Sequence, residues 1–299
     1  MNGMGLRRRR RILAKFLRDD YLWEHQPHAF MKQRKTFSEI SPLTYWISKE
    51  KEILKRNCQD LIHKVHFART IQTEKLPYEV FTHQSVIRRR LKNVDQQLQE
   101  NKAVNLKLAT AHLYGVLIRP GETFSLWKLV GRTTARKGYK EGLTIAKSRT
   151  GKGIGGGLCQ LSNLIHWMVL HSELTIVEHH HHDSVDLFPD SGRKVPFGTG
   201  TSISYNYLDY RFRNDTDHTF QLFAYVDEEN LYGELLASEE PQYTYDIHCE
   251  GESFAREADG NIYRNGTVVR DTVDKAIGTV VSHQIIRTNH ARVLYEMDI

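Results

Sequence analysis

Apolar positions along the chain change their period near residue 120. Before it, Ile53, Leu54, Leu61, Ile62 and Val65 are spaced as on a helix within residues 47–67. Residues 86–98 continue the helical look. Residues 101–118 place Val104, Leu106, Leu108, Ala109, Leu113 and Leu117 on or near one face, until Arg119-Pro120-Gly121 forbids further helix. After it, residues 158–171 carry Leu161, Leu164, Ile165, Met168 and Val169 at helical spacing, and the short β-branched run 174–177 predicts a strand. Residues 202–213 alternate, with a phase change near Leu208 and Asp209 that predicts a bulge or bend. A turn at 214–217 separates this from strands at 218–226 and 231–236. Beyond 241 the chain is polar, with short strands at Ile262-Tyr263, Val268-Val269 and 277–281.

These elements predict an α+β fold: a helix followed by an antiparallel β meander, with an N-terminal helical extension. The expected segments are a basic arm and helical extension (1–102), a main domain (103–240) and a small β-rich appendage (241–299). No internal repeat is present.

Composition adds location. The chain is 39% apolar and 26% charged, ordinary for a globular protein. It contains no apolar run long enough to span a bilayer. Five consecutive arginines, Arg7 to Arg11, are followed by no apolar core of a secretory signal. Three cysteines, far apart and odd in number, do not form a disulfide framework. The expectation is a cytoplasmic protein, at most peripheral to the membrane. The net charge of +6 is concentrated in residues 1–18, which hold seven Lys/Arg and no acid. Leu6, Ile12, Leu13, Phe16 and Leu17 gather on one face there, which suits an anionic membrane surface, nucleic acid or plain solvation. No basic-aromatic pattern continues into the body, so a nucleic-acid partner is not expected.

Candidate chemistry centres on Gly151-Lys-Gly-Ile-Gly-Gly-Gly-Leu-Cys159-Gln160. A glycine-rich loop entering a helix leaves backbone N–H groups free at the positive helix end. A cysteine in that first turn gains thiolate character, and N–H groups around Gly156 and Gly157, with Gln160, are placed to hold an oxyanion. Inert burial is the competing reading of Cys159, as it is for Cys58 and Cys249. The run His179 to His182 offers a general base, a pair of metal ligands or an exposed loop. In a strand at most two of its members address one site. Asp209, at the suspected bulge, is the first choice of orienting acid, with Asp183 and Glu178 competing. No cofactor is expected, and no zinc motif is present. Gly151 to Gly156 formally fits a dinucleotide fingerprint, but the hairpin strands that follow are not βαβ crossovers.

Several pieces together resemble the VanW family: Pro120-Gly-Glu-Thr-Phe-Ser125, Val130-Gly-Arg132-Thr133, Gly138-Tyr139, Gly155-Gly-Gly-Leu-Cys159-Gln-Leu-Ser162, Glu178 through His182, Gly192-Arg193 and Asp209-Tyr-Arg-Phe-Arg-Asn214. The resemblance covers roughly residues 103–237 and places a family histidine on His182. It departs at His179, where arginine is usual, at Asp183, where serine is usual, and at Lys194, where aspartate is usual. It implies an accessory role in glycopeptide resistance, or a cysteine-dependent L,D-transpeptidase acting on peptidoglycan stem peptides or their precursor. In that chemistry Cys159 is the nucleophile, His182 the base, Asp209 the orienting acid, and Gly156, Gly157, Gln160 and Arg132 hold substrate or oxyanion.

Overall fold

The computed structural model describes residues 36–88, 95–146, 149–181, 185–187, 189–190, 195–205 and 208–297. Two compact units divide the chain, residues 1–48 and 49–299. In the first, the described part is a 3-10 turn at Phe37–Glu39 and the beginning of helix α1 (Pro42–Ile62). Pro42 is the first helical residue, where a missing N–H costs nothing. Just before it Ser41 and Thr44 cap reciprocally, Ser41 Oγ accepting from Thr44 N at 3.2 Å and Thr44 Oγ1 from Ser41 N at 2.9 Å.

The second unit continues α1 and adds helices α2 (Gln96–Thr110), α3 (Leu126–Val130) and α4 (Cys159–Leu170). Its strands are β1 (Tyr78–Val86), β2 (Val116–Ile118), β3 (Thr123–Ser125), β4 (Glu141–Ala146), β5 (Arg149–Ile154), β6 (Thr175–Glu178), β7 (Val185–Asp186), β8 (Arg211–Arg213), β9 (Phe220–Val226), β10 (Asn230–Ala237), β11 (Tyr243–Arg256), β12 (Ile262–Asp274) and β13 (Thr279–Val293). One antiparallel sheet has the order β1-β10-β9-β2; a second runs β11-β12-β13 with β7 parallel at its edge; β3-β8-β6 and the hairpin β4-β5 are smaller. The fold is mixed α+β with mostly β content.

Helix α4 explains the arrangement. A helix apolar on every side must be buried on every side. Leu161, Leu164, Ile165 and Met168 join the main core, while Trp167 and Leu170 pack with Ile247 and Val268 of the second sheet. The helix approaches β10 at Gly233, where a Cβ would stand 2.6 Å from Met168 Cε. The last strands are therefore the long outer wall of α4's pocket rather than a set of short isolated pieces.

Other elements also differ from the sequence expectation. Residues 78–86 form a strand paired with β10, so the main sheet reaches back before residue 103, and α2 begins only at Gln96. The helix expected to run to 118 stops at Thr110. Gly115, at φ +89, turns the chain into β2 because a Cβ there would meet the Gln72 carbonyl oxygen at 2.1 Å. Residues 202–213 form not one bulged strand but a tight pairing of Ser204 with Leu208, followed by the short β8. The irregularity lies opposite, between Ile176 and Glu178 of β6.

Helix α1 docks by charge. Leu54, Leu61 and Ile62 are exposed, and of the apolar residues expected on its face Ile53 is buried. Glu50, Arg56 and Asp60 instead reach Arg132, Glu178 and Arg211.

Candidate functional site

The glycine run is half strand and half turn. Gly151 and Gly153 lie in β5, which pairs antiparallel with β4 in a two-stranded hairpin and not in the parallel βαβ unit that a dinucleotide site needs. Gly155 (φ +78) and Gly157 (φ +91) then take left-handed conformations. Between them Gly156 lies against Gly142 so closely that a Cβ on it would stand 2.2 Å from that residue's carbonyl carbon. The fully buried Asn105 of α2 fixes this turn. Its Nδ2 donates to the carbonyls of Lys140 (3.0 Å) and Gly156 (2.9 Å), and its Oδ1 accepts from Lys140 N at 2.7 Å. Asn105 escaped the sequence reading; the available signal was one amide inside an otherwise apolar helical stripe.

The turn delivers Cys159 as the first residue of α4, half-buried. The first backbone bonds of this helix are Gln160 N to Gly157 O (3.2 Å) and Leu161 N to Leu158 O (3.0 Å). Among the described residues the N–H groups of Gly157, Leu158 and Cys159 reach no backbone carbonyl. Two N–H groups, from Ile203 and from Cys159 itself, favour the thiolate, but burial outweighs them and pushes the thiol above its ordinary pKa. Among the described residues no histidine is one of the groups that set it.

The neighbouring residues are engaged elsewhere. Gln160 Nε2 donates to Ser85 Oγ and the Val86 carbonyl, both at 2.9 Å, tying α4 to β1. Arg132 grips both carboxylate oxygens of Glu50, at 2.7 and 2.8 Å, and lies 5.2 Å from the Tyr205 ring centroid. Asp209 is fully buried and accepts four bonds: Oδ1 from Trp127 N (3.1 Å) and Tyr210 N (2.9 Å), Oδ2 from Ser125 Oγ (2.5 Å) and Arg211 Nε (2.8 Å). Arg211 continues to Asp60 at 2.6 Å, and Asp60 to Lys128 at 3.0 Å. Burial raises the Asp60 carboxyl, but the bonds from Arg211 and Lys128 overcome this and hold it below its usual range. Glu178 accepts from His180 Nε2 and from Asp209 N, both at 2.8 Å, and pairs with Arg56. Three cations and three carboxylates thus form one network, with Arg211, Asp60 and Asp209 buried and Arg56, Lys128 and Glu178 half-buried at its edge.

His182 and Asp183 lie outside the described residues, as do Gly192, Arg193 and Lys194. The described members of the run turn inward. The His179 ring packs 4.0 Å from the fully buried His166 of α4 and 4.1 Å from His181, centroid to centroid. His166 Nδ1 is 3.0 Å from the Tyr210 hydroxyl. Burial first, and mutual repulsion second, push His166 well below its ordinary pKa and His179 to about 3. Burial and the nearby Arg287 push His181 to about 4. Each of these shifts favours the neutral imidazole. The sequence reading also missed His166 as their partner, since it stands outside the run.

A chain segment runs beside α4 and registers these groups. Ile203 N–H points to Cys159 sulfur, Thr201 bonds Ser162 and donates to Asn163 Oδ1 (2.7 Å from N), and the Gly200 carbonyl accepts from His179.

Comparison with known proteins agrees with this layout. Residues 101–236 match the family model described as VanW like protein. The chain is 37% identical over 231 residues to the Vancomycin B-type resistance protein VanW of Enterococcus faecalis, covering 77% of this chain and 83% of that protein. It is 32% identical over 115 residues to the uncharacterized protein YoaR of Bacillus subtilis, covering 38% of this chain and 36% of that one. No solved structure matches. With four-fifths of the enterococcal protein aligned, and the glycine turn, Cys159 and Asp209 inside the segment that the family model matches, this chain belongs to the VanW family.

Proposed function

We propose that this protein serves glycopeptide resistance as a cysteine-dependent acyltransferase on peptidoglycan stem peptides or their precursor, in the manner of an L,D-transpeptidase. The observation that carries this reading is the position of Cys159: the first residue of a helix, delivered by a left-handed glycine turn, with the N–H groups of Gly157, Leu158 and Cys159 ahead of the first helical bonds. In the proposed reaction Cys159 sulfur bonds to a stem-peptide carbonyl carbon, the amide C–N bond breaks, and the departing amine takes the thiol proton by way of His182. An acceptor amine then attacks the thioester carbonyl, the C–S bond breaks as the new amide forms, and the sulfur takes the proton that the amine gives up. The Gly157 and Leu158 N–H groups are suited to hold the oxyanion at each stage.

A second reading, a non-catalytic accessory binding protein, is favoured by one observation: the described surroundings raise the Cys159 thiol instead of activating it. Iodoacetamide alkylation across pH separates the two. The enzyme reading expects a midpoint near or below about 7, moving up in His182→Gln, because an imidazole partner must reverse the effect of burial. A midpoint above about 8.5 in both proteins supports the accessory reading. Cross-link analysis that is unchanged in Cys159→Ala would overturn the enzyme reading.

A further inference from the structure

The main sheet has a second face, turned away from α4. A Cβ on Gly233 would meet Met168 of α4, so the flanking Tyr232 and Glu234 of β10 point to the opposite side. Their cross-strand partners share that side: Gln84 and Thr82 on β1, and Tyr225 on β9. Together with Lys75 these side chains line an open cleft of about 530 Å³, a size typical of small-molecule sites. Tyr225 and Tyr232 stack at 5.2 Å with 13° between their planes, and Tyr114 meets Tyr225 edge-on at 6.1 Å. Their hydroxyls hold them in place: Tyr225 donates to Glu234 Oε1 and Tyr232 to Asp227 Oδ2, both at 2.7 Å. Lys75 pairs with the other Glu234 oxygen and lies 5.5 Å from the Phe223 ring centroid. The rings and the ion pair are thus fixed by the sheet, while Thr82 and Gln84 stand exposed at the rim.

We infer that this cleft binds a neutral saccharide. It carries two carboxylates, Glu79 and Glu234, against one ammonium, Lys75, so an anion is repelled. Burial raises the Glu234 carboxyl, but the bonds from Lys75 and Tyr225 overcome this and hold it below its usual range, so a cation must compete with Lys75. A wholly apolar ligand would strip water from the Gln84 amide, the Thr82 hydroxyl and the ion pair without replacing its hydrogen bonds. A sugar ring answers both halves of the lining. Its C–H face lies on an aromatic ring, and its hydroxyls both donate and accept, as the amide, the hydroxyl and the ion pair require. The choice of an N-acetylated sugar, as in the glycan strand of peptidoglycan, rests on the function proposed above. Gln84 is followed by Ser85, whose Oγ accepts from Gln160, the residue after Cys159. The cleft and the start of α4 therefore lie on the two faces of one strand end, and a glycan in the cleft brings its stem peptide there.

The test is calorimetric titration of the full chain with tri-N-acetylglucosamine, with ligand-observed NMR as a second readout. Saturable binding of about millimolar affinity or tighter is expected. Tyr232→Leu removes the ring and should weaken binding by more than about 10-fold, whereas Tyr232→Phe keeps the ring, loses only a hydroxyl turned to Asp227, and should stay within about 3-fold. Gln84→Leu, at an exposed position, should weaken binding several-fold and gives the reading should Tyr232→Leu fail to fold. Tyr263→Leu, on the second sheet, should leave binding unchanged. No saturable binding by the parent chain below about 10 mM, or parent-like binding by both leucine variants of the cleft in folded protein, would overturn the inference. Cys159 alkylation is read separately. Saccharide binding beside an inert thiol would keep the cleft and strike the acyltransferase, and an activated thiol without saccharide binding would do the reverse.

Discussion

Asp209→Asn gives the most direct test of whether the acid expected to orient a histidine is instead a keystone of the buried ion network. The asparagine oxygen can retain the two backbone bonds from Trp127 and Tyr210, at 3.1 and 2.9 Å in the parent. The Ser125 hydroxyl can rotate to accept from the new amide. Arg211 Nε, 2.8 Å from Oδ2, cannot, because one donor then faces another. The guanidinium loses one carboxylate but keeps Asp60 at 2.6 Å and the more distant Glu178 at 3.5 Å. Breaking a buried pair costs about 3–5 kcal/mol, and the surviving partners put this loss near the lower end, about 3 kcal/mol. Arg211→Met strands Asp60 and Asp209 together and is expected to cost about as much or more. The double variant should lose less than the sum, with a coupling of about 2 kcal/mol. Urea unfolding of the four proteins at neutral pH measures each term. A loss below about 1 kcal/mol for Asp209→Asn, or strict additivity, would refute the network argument. A variant that stayed stable while cross-linking fell would return Asp209 to the chemistry.

Gly156→Ala should cost about 1–3 kcal/mol, because its Cβ would stand 2.2 Å from the Gly142 carbonyl carbon and backbone must move. Thermal unfolding reads the loss, and a shift in the pH midpoint of Cys159 alkylation reports that the turn has moved. Burial pushes His171, stacked 3.7 Å from Phe81, down to about 4. The unfolded chain therefore takes up the proton first as pH falls. Stability is full above about pH 6.5 and is lost between there and about 4, by about 2–3 kcal/mol after allowance for partial exposure. Denaturant unfolding at pH 7 and pH 4.5 measures it, and His171→Gln should make the acid loss shallower; an equally steep loss would remove this residue as a cause. Deleting residues 1–18 should abolish sedimentation with vesicles rich in anionic lipid while leaving the melting temperature unchanged, and unchanged sedimentation would exclude the arm as a membrane contact.

Local periodicity revealed the elements whose burial is one-sided or complete over several turns. Helix α4 was legible from Leu161, Leu164, Ile165 and Met168, and the hairpin β9-β10 from its alternating residues and the turn between them. It misled where neighbours far along the chain decide. Residues 78–86 hold a polar mixture that becomes a strand because β10 offers an edge, and 243–293 make long strands because Trp167 and Leu170 need a second wall. Helix α1 was found from its apolar spacing, but that spacing does not mark the side that docks. Leu54, Leu61 and Ile62 face out while Glu50, Arg56 and Asp60 dock. Charged docking has no hydrophobic period to read.

The site shows the same division. Cys159 at a helix start was legible because glycine conformation and helix initiation are properties of adjacent residues. The raised thiol was not legible, since it is set by burial in the folded chain, and the Ile203 N–H that opposes the rise arrives from another segment. The histidine run drew attention by its composition, yet His166 turns it from a loop into a buried cluster, and its partners arrive along the segment 198–203. That segment meets α4 at Cys159, at Ser162 and Asn163, and beside His166, at intervals of about one helical turn. One helix therefore carries both the Cys159 thiol and the His166 imidazole, and one strip of backbone supplies polar partners to Cys159 and to His179, which packs on His166. A change that slides this strip is felt at each end, so Cys159 alkylation and thermal stability should be measured on the same variants.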